Sequence, residues 1–417
     1  MDNGETAPPA SKRRQKSPYI PHDLVREILV RLPVDSLMRF SCVCKAWGST
    51  ISGDASFHRA HLRRQRTCML LSPFAGFHRH DRGCMRKVAF YRWEASQQGT
   101  LDVPLVYATE VPTANKKHKV IHCDGLVLVP AGATVLLLNP ATRRARTLPY
   151  SPNFSFSSDQ VFGFGRDPRS NMYKIARFFY RSAPVTTSDC HYPAVMGNYH
   201  NTARMEVFTI RVDRHWRETA GQPPYPVMQW REATSFKGSL LWIIDERALG
   251  NVAPGFLRFD LGDETFGLMQ LPPWCPSSEY ATMGLAELRG ELLVARVRDD
   301  VEMWVCDNVD NPNWELHHKI VISLWNHLNP IGVFDDDDVV FQDEEMSLLI
   351  RYDRQTNSLK AVVHMMYLRY HNPSTDTIEY GNSRFAEKRQ STTLPSKLPL
   401  PIITIDVIPY VPSIVPI

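Results

Sequence analysis

Little in this 417-residue sequence points to catalysis, export or a membrane. No window approaches the ~20 uninterrupted apolar residues that a spanning helix requires. The segment 401–417 comes nearest, but Asp406 and the prolines at 401, 409, 412 and 416 exclude a continuous membrane helix. No positively charged leader with an apolar core opens the sequence, and the eight cysteines include no Cys-x-x-Cys pair, so reduced thiols in the cytosol or nucleus are expected. Asn153-Phe154-Ser155 is then a chance sequon. The net charge is also small: +4 over this length implies no nucleic-acid partner. Walker loops, zincin helices and nucleophile elbows are absent, and Gly163-x-Gly165 lacks a third glycine because Pro168 takes its place, so it reads as a strand-edge turn. His78, His80 and Cys84 supply three zinc ligands where a structural site needs four, so no metal and no cofactor are expected. Asp335 to Asp338 with Asp343, Glu344 and Glu345 read as a solvated acidic loop, since Val339 occupies a ligand position of a calcium loop.

What the sequence does hold is an apolar surplus between Ile20 and Trp47. Leu24 and Ile28, with Val25, Leu29 and Leu32, recur at helical spacing from Asp23 until Pro33 ends the pattern. Asp35 stands where an N-cap belongs, ahead of a second short helix bearing Leu37 and Phe40. A third helix carries Val43, Trp47 and Ile51 at i, i+4 and i+8, with Cys44 beside that stripe. Some 45 residues cannot bury a self-sufficient core, so the surplus implies a partner.

These residues resemble the F-box, the adaptor-binding motif of ubiquitin-ligase substrate receptors. The likeness runs through Ile20-Pro21, Glu27-Ile28-Leu29, Arg31-Leu32-Pro33, Ser36-Leu37, Arg39-Phe40, Val43-Cys44-Lys45 and Trp47. Ile20, where the family usually has Leu, and Ser41 and Gly48, at commonly basic positions, are its departures. The resemblance implies that Pro21, Leu24, Ile28, Leu29, Leu32, Pro33, Leu37, Phe40, Val43, Cys44 and Trp47 bind a Skp-type adaptor, itself held by a cullin scaffold.

Residues 1–18, with Lys12-Arg13-Arg14-Gln15-Lys16, read as a disordered basic tail, solvated or a nuclear address. Residues 19–66 form the F-box and a helical linker, in which Arg59 to Arg66 cap or extend the last helix. From 67 to 417 the period falls to two, and β-rich runs such as 205–210, 239–244 and 302–305 alternate with turn residues. His317-His318 fall in such a run. Turn residues ahead of apolar strands at Gly238, Gly290 and Glu345 are 52 and 55 residues apart, a spacing that points to four-stranded, kelch-like propeller blades. About seven blades are expected, with a range of six to eight. Leu138 to Thr142, Phe259 to Thr265 and Tyr352 to Thr356 each set an Asn or Asp ahead of a Thr, as in a tight turn where the side chain bonds its own backbone. The run 402–408 has strand composition and is expected to close the ring by pairing with Thr67 to Ser72 or Lys87 to Trp93, residues beyond Pro412 being dispensable.

The same stretch resembles the F-box-associated domain of plant F-box proteins, through Cys123-Asp124-Gly125-Leu126, Leu138 to Arg144, Leu148-Pro149, Gly163-Phe164-Gly165, Asp167-Pro168, Tyr173-Lys174, Trp216-Arg217, Leu241-Trp242, Phe259-Asp260-Leu261, Leu271-Pro272, Trp304-Val305 and Trp314. The expected fold is therefore multidomain, α plus all-β: a small three-helix F-box followed by a kelch-like β-propeller. By resemblance the chain is a non-catalytic receptor subunit of an SCF-type ubiquitin ligase, cytoplasmic or nuclear, whose β domain takes a protein substrate that the sequence does not identify. Two other classes stay open: a propeller enzyme or sugar-binding lectin with an accessory F-box, and an adaptor-bound protein acting outside ubiquitylation. The first needs polar and titratable groups with shifted pKa values converging at the propeller mouth.

Overall fold

A computed structural model describes residues 20–75, 85–94, 101–112, 119–154, 160–180, 203–228, 231–245, 255–273, 283–321, 328–333, 338–372, 377–380 and 402–417. The basic tail, the His78, His80 and Cys84 group, Ser155 and Asp335 to Asp337 lie outside these residues.

Four short helices open the described chain: α1 (His22–Leu29), α2 (Val34–Phe40), α3 (Lys45–Gly53) and α4 (Ala55–Leu62). The sequence suggested three. The fourth is started by Asp54, whose carboxylate accepts from the Ser56 and Phe57 N–H groups at 2.8 and 3.1 Å. The hydrogen bond from the Ser56 hydroxyl, with those backbone bonds and Arg26 nearby, holds the Asp54 carboxyl down at about 2. Asp35 is not an N-cap. Pro33 takes that place in extended conformation, and Asp35 lies in the first turn of α2. Val43 precedes α3 instead of riding on it. The interior is shared by Leu29, Val30, Val34, Leu37, Ile51 and Phe57. Two buried histidines of α4 tie it to the rest: His58 and His61 donate from Nε2 to the carbonyls of Ile51 and Leu32 at 2.8 and 2.9 Å.

Beyond α4 the described residues build six sheets, five of four strands and one of six, which are the blades of a propeller and are antiparallel except where Arg369–Asn372 pairs parallel with Asp102–Pro112. The innermost strands are Ile402–Tyr410, Ile121–Cys123, Gln160–Arg166, Thr234–Phe236, Met283–Leu288 and Leu328–Val333, and each neighbours the next around the ring. They run the same way, because corresponding ends meet: Pro168 lies against Gly238, and Pro409 against Gly332. Six blades is the lower end of the expected range. The first blade absorbs two extra strands, Arg369–Asn372 and Thr377–Tyr380, on its outer edge. Met365, Leu368 and Tyr370 there pack with Leu71, Tyr91, Val340 and Leu349 and seal the seam between the sixth blade and the first.

The ring is closed by the expected strand. Ile402–Tyr410 pairs antiparallel with Cys68–Ala75, in a register running from Cys68 opposite Tyr410 to Ala75 opposite Ile402. Of the two candidate partners, Thr67 to Ser72 is the one used, and Lys87 to Trp93 lies one strand further out.

Turn chemistry repeats around the ring. Asp124-Gly125, Lys237-Gly238 and Arg289-Gly290 have positive φ at both positions, between 43° and 90°, as a two-residue hairpin with right-handed strand twist requires. Each joins the first strand of a blade to the second. Glu345 does not belong to this series, because it sits in the connection between second and third strands of the last blade. The Asn/Asp series is a true repeat: Asn139, Asp260 and Asp353 each end a third strand and accept from the backbone N–H groups two and three residues on, at 2.8–3.2 Å.

Two expectations are corrected here. Gly163 and Gly165 are not a strand-edge turn but lie within the innermost strand Gln160–Arg166, and a Cβ at Gly163 would come within 2.7 and 2.8 Å of Trp242 and Leu240 of the next blade. Close blade packing is their reason. The acidic run is not one solvated loop either, since Val339–Asp343 is a strand. Asp338 precedes it, Asp343 is its last residue and both are buried, Asp338 paired with the Arg351 guanidinium at 2.5 Å.

Candidate functional site

The helices offer one kind of surface. Pro21, Leu24, Ile28, Pro33, Val43 and Cys44 are exposed, and Ile20, Leu24, Ile28 and Val43 leave 52, 55, 52 and 60 % of their surface in water. Leu24 and Ile28 are one turn apart on α1 and share a face. Leu32, Phe40 and Trp47 are half-buried, the two rings meeting edge-on at 5.7 Å. Leu29 and Leu37 depart from expectation. At 2 % and 0 % exposure they belong to the internal core and have no surface to present, because the 3.6 period marks apolar positions without saying what covers them.

A second feature is the axial channel of the propeller, a cavity of about 1110 Å3. The helical unit stands over the end toward which the innermost strands run, where Leu62 and Thr67 reach the channel. The other mouth carries Lys119, Arg231, Glu232, Asn329 and Glu344.

The channel's acids are held by fixed partners. Asp124 accepts from Arg166 Nε at 2.7 Å and Tyr173 Oη at 2.9 Å. Glu287 accepts the Gly290 N–H at 2.5 Å, Glu232 accepts the Phe162 N–H, and Glu344 pairs with Lys119. Burial pushes the Glu287 carboxyl up and draws His122 down to about 4, leaving that imidazole neutral at pH 7. Shifted groups are present, yet the shifted carboxylate, Glu287, satisfies a backbone donor of the scaffold. His317 and His318 lie on the outermost strand Glu315–Val321, where His318 Nδ1 meets the Tyr352 hydroxyl at 2.8 Å. The approach of these rings joins the fifth blade to the sixth, and no sequence spacing announces it.

Comparison with known proteins follows the same division. Residues 98–417 match the F-box associated beta propeller domain family, and residues 19–59 match the F-box domain family. The chain is 27% identical to F-box protein At2g34280 of Arabidopsis thaliana over 382 residues, which cover 81% of this chain and 93% of that one. It is 24% identical to F-box/kelch-repeat protein At3g44120 of the same plant over 331 residues, or 75% and 80% of the two chains. Among solved structures, virginiamycin B lyase from Staphylococcus aureus resembles it with a TM-score of 0.37 at 12% identity, over 70% of this chain and 88% of the lyase.

Proposed function

This chain belongs to the F-box proteins that carry an F-box associated β-propeller domain, and from that premise we propose that it is a non-catalytic, substrate-recruiting receptor of an SCF-type ubiquitin ligase. The F-box engages a Skp-type adaptor and through it a cullin scaffold, while the propeller holds a protein substrate. Ubiquitin transfer happens on other subunits, so this chain contributes proximity and orientation. Its place of action is the cytosol or nucleus.

One observation carries the reading: Ile20, Leu24, Ile28 and Val43 stay half or more exposed although the core beneath them is already complete. Fully burying such a side chain gains ~1.5–3 kcal/mol, so about half of that gain is still available at each position. A stripe of this kind beside a finished core fits an adaptor groove. The substrate is assigned to the channel mouth opposite the F-box, where Lys119 and Arg231 stand, because the helices occupy the other end.

The test replaces Leu24 and Ile28 together by alanine and measures adaptor affinity by calorimetry. Neither side chain is in the core, so the helices keep their fold. At roughly 1–2 kcal/mol per anchor the affinity falls about 30-fold or more. Unchanged affinity in the folded double variant sinks the adaptor assignment.

A further inference from the structure

We propose that residues 411–417 are a strap that holds the F-box in one orientation on the propeller, with Asn139, Ser413 and Ile414 as its positioning residues. The segment leaves the ring at Tyr410, whose hydroxyl oxygen accepts the Ala141 N–H at 3.0 Å. It then lies on Gly125, at φ +79°, where a side chain would collide with the Val411 carbonyl and Ser413. Asn139, fully buried, donates from Nδ2 to the carbonyls of both Ser413 and Val415 at 3.0 Å. Neighbouring side chains of an extended segment point opposite ways. Ile414 accordingly enters the F-box core beside Leu29, Val34, Leu37 and Phe57, while Val415 enters the propeller core beside Leu137, Phe162 and Trp216. Both are 5 % exposed. The expectation that residues after Pro412 are dispensable is therefore replaced: they complete two cores at once.

The repeated turn supplies an independent argument. Asn139, Asp260 and Asp353 do the same local work with a side-chain oxygen, and a carboxylate suffices for it. Of these three residues Asn139 alone is an amide, and its NH2 supplies the donors that the two strap carbonyls accept. An aspartate at 139 would keep the turn and lose both strap bonds.

The consequence for ligase function, a substrate held at a fixed reach from the adaptor, rests on the receptor reading. The strap itself does not. Its test uses the full chain and three variants, Asn139→Asp, Ile414→Ala and, as a control away from the strap, Asp353→Asn. Hydrogen exchange of α1 to α4 and of the strand Gly255–Asp260 is measured, together with small-angle X-ray scattering. Asn139→Asp is expected to speed F-box exchange about 10- to 30-fold, for two lost neutral hydrogen bonds, and to broaden the interatomic distance distribution. Ile414→Ala speeds F-box exchange ~30-fold or more by opening a cavity in its core. The strand Gly255–Asp260 and the Asp353→Asn protein stay as wild type. F-box exchange and scattering unchanged in both strap variants overturn the proposal, as does exchange that rises equally in helices and strands. Adaptor calorimetry on the same proteins keeps the two readings apart: failure of the wild type to bind defeats the receptor reading and leaves the strap result standing.

Discussion

Deleting residues 402–417 removes the innermost strand of the first blade, and the structure sets the size of the loss. Ile405, Val407, Ile408 and Tyr410 are each 7 % exposed or less. At ~1.5–3 kcal/mol for each buried side chain, the deletion forfeits about 6–12 kcal/mol, before counting the Gln342 amide left without the Ile405 carbonyl it binds at 2.8 Å. That is comparable to the ~5–15 kcal/mol by which a domain is stable at all, so the truncated chain should not hold a native ring. Calorimetric melting is expected to lose its cooperative transition, and an apolar dye to bind the uncovered edge of Cys68–Ala75. Supplying 402–417 as a separate peptide restores the transition in a concentration-dependent way, by about 2.7 kcal/mol at a hundred times its Kd. A truncated protein that melts with the full chain, without peptide, refutes the closure.

Two further perturbations test interior chemistry. Burial draws His58 and His61 below the usual histidine value of 6.5, so the unfolded F-box binds protons that the folded one refuses; its stability is complete above pH 6.5 and declines as pH falls below it. Amide exchange of α4, corrected for intrinsic rate, should therefore show lower protection at pH 5.5 than at 7.5, and equal protection would mean that these imidazoles are not held neutral. In the third blade Arg177 and Glu206 pair at 2.5 Å with 2 % and 1 % of their side chains exposed, and Ser151 donates to the same carboxylate at 2.9 Å. Glu206→Ala leaves a buried guanidinium without its counter-charge and should cost ~3–5 kcal/mol in urea denaturation, much of it recovered when Arg177 is changed to Met as well; a loss below about 1 kcal/mol contradicts the pairing.

Local chemistry was legible in the sequence wherever a residue does its work on its own neighbours. Asn139, Asp260 and Asp353 bond backbone two and three residues away, so their turns could be read from spacing alone. The α1 stripe showed in the same way, through its period. What stayed hidden is what lies across space. Leu29 and Leu37 carry the same period as Leu24 and Ile28, yet Ile414, nearly 400 residues away, helps to cover the first pair, while the described residues leave about half of the second pair in water. Gly163 looks like any turn glycine until Trp242 is placed against it. Glu345 fitted a period of about 50 because any connection within a four-stranded repeat recurs with that spacing, whichever strands it joins. Extra strands at 369–380 lengthened the chain without adding a blade, one contribution to the excess by which division by a period gave seven for six. The fourth helix left a signal, the Asp54 N-cap, but the basic residues that follow it suit an extended linker as well as a helix.

Closure of the ring by Cys68–Ala75 and Ile402–Tyr410 also has a meaning in time. At a ribosomal pace of ~5–20 residues per second, roughly 20–70 s separate the synthesis of Cys68 from that of Tyr410. Throughout that interval the first blade has an open edge, a template for any strand that reaches it first. Pro73, which has no N–H to offer, interrupts that edge without removing it. The yield of native molecules in a cell thus depends on what shields one β-edge of the nascent chain, and a fully stable finished propeller gives no protection during that wait.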